Sequence, residues 1–176
     1  MEKNSRIFLV YILLSLIFLF FSNSNFILEE TYKYGGSDGF FYVSISENAP
    51  FFGNDIEYIK GERFFLPYII GLVSKLCGLE IYLTYKIISS ILLTYLFFLV
   101  SKILNNLNLN FYVNFISLSL LIFNPYIFRY FFSVPTMIGD LAFMIIIIFI
   151  FQGLINKEKK IIYISFIFAN LLRQNG

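Results

Sequence analysis

Three groups of residues in this sequence have the types and spacing to do chemistry. The first is Tyr34-Gly35-Gly36-Ser37-Asp38-Gly39-Phe40-Phe41-Tyr42, in which Asp38 is the only carboxylate. A carboxylate held at a membrane surface among apolar and aromatic groups has its charged form disfavoured by desolvation. That raises its pKa and suits it to take a proton from a sugar or peptide hydroxyl. Asp-Gly is also a common turn dipeptide, and both readings fit Asp38. The second group is Lys60-Gly61-Glu62-Arg63-Phe64-Phe65-Leu66-Pro67. Arg63 could hold a lipid phosphate bidentately, or Lys60 and Arg63 could snorkel to ordinary headgroups. The third comprises Lys86, Arg129 and Asp140, ionisable residues within or beside apolar runs, where a charge is costly and marks a site or a buried pair. For Asp140 the two readings are a dipole-complementing carboxylate at the start of the helix after Pro135, and a polar cavity shared with Arg129.

The elements that must position these residues follow from composition. The chain has 176 residues, 59% hydrophobic, 21% aromatic and 14% charged, with a mean hydropathy of +0.78. An average soluble domain is roughly 45–50% apolar and about 25% charged, and one of this length would leave large apolar patches in water. The composition predicts an integral membrane protein. Cys77 is alone and His is absent, which excludes a disulfide scaffold and argues against a zinc or haem site. A net charge of +2 is too small to suggest nucleic acid.

Residues 7–28 carry no charge and are long enough to cross a hydrocarbon core that needs about 20 apolar residues. Lys3 and Arg6 precede this run and favour a cytoplasmic N-terminus, while the run offers no small-x-small site for cleavage as a signal peptide. Residues 81–104, 111–128, 137–155 and a segment from 161 onward read as further helices. Between the first two spans, residues 29–63 are the least hydrophobic part of the chain, with Gly35-Gly36, Asp38-Gly39 and Gly53-Asn54-Asp55 as turn signals. Residues 64–79 are apolar but short and carry Lys75 midway. If they do not cross, Lys102 and Lys157-Glu158-Lys159-Lys160 fall on the same side as Lys3 and Arg6, as the positive-inside rule prefers. The expected fold is therefore all-α: a polytopic transmembrane helix bundle with a long extracytoplasmic first loop (29–80) containing an interfacial helix. Residues 1–176 read as a single membrane domain. The chain stops just after a helix has begun, so it is expected to be the N-terminal fragment of a longer protein.

Taken together, these features resemble the N-terminal part of the GT-C class of polytopic glycosyltransferases, the group of the protein O-mannosyltransferases and the aminoarabinose transferases. In that class a first helix leads to a long outer loop that opens with an acid and, about a turn later, an aromatic, as Asp38 and Tyr42 stand here. A proline motif then starts a juxtamembrane helix, similar to Arg63-Phe64-Phe65-Leu66-Pro67, and that helix ends in a pair similar to Cys77-Gly78. A basic residue follows in the next helix, where Lys86 stands. This chain has Asp38-Gly39 and a lone Pro67 where many relatives have paired acids and paired prolines. The resemblance implies transfer of a sugar from a polyprenyl-phosphate donor to an acceptor on the outer face of a bacterial inner membrane. Asp38 would be the catalytic base. Tyr42, Arg63, Lys86, Arg129 and Asp140 would line the substrate site, the cations neutralising the departing phosphate. No cofactor is implied beyond the lipid-linked donor, with a divalent cation left open, and the partners would be membrane lipid and that donor. The alternatives are a transporter or flippase segment for an anionic lipid, and a non-catalytic membrane subunit.

Overall fold

The computed structural model describes residues 38–51, 64–107, 111–122 and 134–172. All secondary structure among them is helical: α1 (Asp38–Asn48), α2 (Phe65–Cys77), α3 (Ile81–Asn106), α4 (Phe111–Ile122), α5 (Val134–Asn156) and α6 (Lys159–Leu172). The expected first span at 7–28, and Arg63 and Arg129, lie outside the described residues.

Among the described residues two helices are long and apolar enough to cross a membrane, Ile81–Leu104 and Ile138–Asn156. At 1.5 Å per residue the 26 residues of α3 extend about 39 Å, more than a hydrocarbon core of roughly 30 Å. They lie side by side. Near their N-terminal ends, Tyr85 of α3 and Ile138 of α5 share a buried cluster with Val43 of α1 and Ile70 of α2. Further along, Leu93, Leu96, Phe97 and Leu99 of α3 pack with Leu141 and Ile145 of α5, and the rings of Tyr95 and Phe149 lie 6.2 Å apart. Both sets climb in the same order, so α3 and α5 run parallel. α4, between them in sequence, packs on α3 and leaves Tyr112, Phe115, Ile116 and Leu120 exposed.

α6 folds back against α5. At the turn, Lys157 takes φ 59°, the Glu158 N–H bonds the Gly153 carbonyl at 2.8 Å and the Lys157 N–H bonds that of Leu154 at 3.3 Å. This crossed pair satisfies the carbonyls left open where a helix ends. Gly153 lets the two helices close on each other, because a Cβ there would stand 2.8 Å from the Ile162 side chain. α2 ends in the same way, but with Gly78 at φ 65° and Leu79 N–H on the Ser74 carbonyl at 3.0 Å. That end falls within a residue or two of the expected 64–79 boundary.

Two expectations are corrected. Residues 38–48, expected in a loop with Asp38-Gly39 as a turn, form α1. Gly39, Tyr42, Val43 and Ser46 are buried at helical spacing, and burying that stripe against α2 and α5 outweighs the weak helix preference of an Asp-Gly start. Asp140, expected to begin its helix, stands beyond the first turn, because α5 starts at Val134. Pro135 is accommodated in that first turn, where a missing N–H costs no hydrogen bond.

Candidate functional site

The site is organised where α1 crosses α2 and α3. Gly71 of α2 allows the crossing: a Cβ built on it would stand 2.1 Å from the Ser46 carbonyl oxygen, so only a residue with no side chain fits. This close approach brings the Ser46 hydroxyl, fully buried, within 2.7 Å of the Pro67 carbonyl and 2.7 Å of the Tyr85 hydroxyl. Both hydroxyls also lie 3.0 Å from the Tyr42 carbonyl. There are two protons to place among these contacts. The assignment that uses the shortest distances has Tyr85 Oη donating to Ser46 Oγ and Ser46 Oγ donating to Pro67. Three helices are thereby joined through two hydroxyl groups, with no buried polar atom of the pair unsatisfied.

The same C-terminal end of α1 is also held by Lys75, whose Nζ donates to the carbonyls of Glu47, at 2.9 Å, and Ala49. A cation on these C-terminal carbonyls complements the helix dipole. The Tyr68 hydroxyl donates to the Pro50 carbonyl at 3.1 Å and ties the following residues to α2 as well. The sequence pattern marked Lys75 only as a charge and Gly71 only as a glycine within a short helix, and did not single out Ser46 or Tyr85. Their signal was small or hydroxylated residues set in apolar stretches, the residue types that let membrane helices approach and bond.

Of the residues singled out from sequence, Asp38 is the first residue of α1, and Tyr42, one turn on, is buried at 7% exposure. The Tyr42 backbone therefore serves the junction directly, through its carbonyl. Lys86 of α3 and Asp140 of α5 are both half-buried. They adjoin Tyr85 and Ile138, members of one buried cluster on parallel helices, so they stand at about the same level along the bundle. The structure therefore gathers Tyr42, Lys86 and Asp140 onto three helices that meet at one end.

Among the described residues no three Cys, Asp or Glu side chains converge as a metal site would require. Lys86 and Lys75 are the described cations at this end, and Lys75 is engaged with carbonyls. The buried hydroxyl of Ser89 on α3 has no hydrogen-bond partner among the described residues. Comparison with family models, curated proteins and solved structures finds no match.

Proposed function

We propose that this chain is a polytopic membrane protein that transfers a sugar from a polyprenyl-phosphate donor to an acceptor at the outer face. The observation that carries the reading is the junction of α1, α2 and α3. It fixes the helix headed by Asp38 against the short helix entered at Pro67 and against the N-terminal end of α3, where Lys86 lies. A transferase needs such an arrangement, with a base and a phosphate-neutralising cation on elements that cannot drift apart. In the reaction, Asp38 takes the acceptor hydroxyl proton as the acceptor oxygen attacks the sugar's anomeric carbon, and the bond to the lipid phosphate breaks. Lys86, with Arg63 and Arg129, offsets the charge left on that phosphate.

The membrane reading is supported by an inverted surface. On α6, Ser165 is buried while Tyr163, Ile164, Phe166, Ile167 and Phe168 are exposed. Apolar residues outward with a small polar residue at the helix contact is the arrangement that lipid, and not water, favours.

A transporter would also use Lys86 and Asp140, which lie in the two long apolar helices. Both stand within about two turns of the helix starts and away from the midplane, which favours surface chemistry over a transmembrane pathway. The test is Asp38→Asn in membranes supplied with a polyprenyl-phosphate sugar. Transfer is expected to fall by about 10²-fold or more at unchanged expression. Undiminished transfer would remove Asp38 from the chemistry.

A further inference from the structure

The two ends of the parallel pair α3 and α5 carry different charge. At the N-terminal end, among the described residues, Glu47, Glu80 and Asp140 outnumber Lys75 and Lys86. At the C-terminal end, Lys102 on the last turns of α3 and Lys157, Lys159 and Lys160 at the α5–α6 turn stand against Glu158 alone. Because α3 and α5 run parallel, four lysines from two separate parts of the sequence arrive at one end of the bundle.

Among the described residues these lysines are not used internally. All four are exposed, and none makes an ion pair or side-chain hydrogen bond among the described residues. Lys75 at the opposite end is occupied by the α1 carbonyls. Two of the four also work against their own helix. Lys159 and Lys160 open α6, with no acid in its first turn, and cations there are repelled by the positive end of the helix dipole. A sequence selected for helix stability alone would place acids at these positions. The cost is removed if an anionic layer lies against the turn, and the exposed Ile155, Leu154 and Leu107 beside it give that layer an apolar border to meet.

We propose that Lys102, Lys157, Lys159 and Lys160 form a docking surface for anionic lipid headgroups, at the end of the bundle opposite the α1–α2–α3 junction. The inference rests on the membrane reading but not on the transferase chemistry. Surface charges of this kind act over a Debye length of about 8 Å at physiological salt, so the contact is with the headgroup layer itself and weakens as salt rises.

The test uses the whole chain reconstituted into phosphatidylcholine vesicles and into vesicles in which phosphatidylglycerol replaces part of the phosphatidylcholine. The expected result is an unfolding midpoint several degrees higher with phosphatidylglycerol, an effect that added salt reduces. A variant with all four lysines changed to Gln should lose the difference, and one with all four changed to Arg should keep it. The exposed positions make both variants compatible with folding. Equal phosphatidylglycerol effects in the wild type and the Gln variant would overturn the proposal, as would no effect in the wild type. Reproduction of the effect by inorganic phosphate in phosphatidylcholine vesicles would overturn the headgroup assignment in favour of a soluble anion. Failure of the chain to float with either vesicle would instead refute the membrane reading beneath it.

Discussion

The α1–α2–α3 junction and the α3–α5 seam are both buried, yet they are held by different forces. At the junction, Ser46, Tyr85 and the carbonyls of Tyr42 and Pro67 make bonds with direction, and Gly71 permits the close approach that those bonds require. Along the seam, Leu93, Leu96, Phe97, Leu99, Leu141 and Ile145 contribute area. Lipid tails offer apolar side chains nearly the same surroundings as one another, so area alone fixes neither register nor crossing angle in a membrane. The difference teaches where precision lies. The helix headed by Asp38 is located by hydrogen bonds and a backbone contact, while beyond the junction α3 and α5 meet along an apolar face.

That contrast can be broken or sharpened by substitution, read as unfolding free energy in a fixed detergent. The largest effect is expected for Gly71→Ala, because the new methyl would overlap the Ser46 backbone and must push α1 from α2, a loss of about 3 kcal/mol. Tyr85→Phe keeps the ring and removes a hydroxyl that contacts Ser46 Oγ and the Tyr42 carbonyl, for a loss of about 1–2 kcal/mol. Lys75→Met strips the cation from the α1 carbonyls and should lower stability by about 0.5–1 kcal/mol. Smallest is Leu96→Met on the seam, at under about 1 kcal/mol, since volume and polarity are nearly kept. A cost for Leu96→Met above that for Tyr85→Phe would erase the distinction between the two regions.

The helices were legible in the sequence wherever apolar residues ran long. α2, α3, α5 and α6 fall close to the expected 64–79, 81–104, 137–155 and the segment from 161. α1 was not legible, because two members of its buried stripe are Gly39 and Ser46. A glycine and a serine read as turn residues until something shows that they face another helix. The displaced start of α5 has a related cause. Pro135 signals a break wherever it falls, and only the backbone reveals that it occupies a first turn, which leaves Asp140 deeper than a cap would be. Tyr42, Lys86 and Asp140, expected to line a substrate site, lie on three helices that meet at one end of the bundle. Ser46 and Tyr85, which join the helices bearing them, gave no charge or motif to find them by.

We propose that the junction end of the bundle faces outward and the lysine end faces the cytoplasm. Cys77, the only cysteine in the chain and exposed at the end of α2, reports on this directly. It lies at the junction end, because α2 leads into the start of α3. In sealed cells a membrane-impermeant maleimide should label Cys77 without permeabilisation. Labelling that appears only after the membrane is opened would place the junction inside and contradict this orientation.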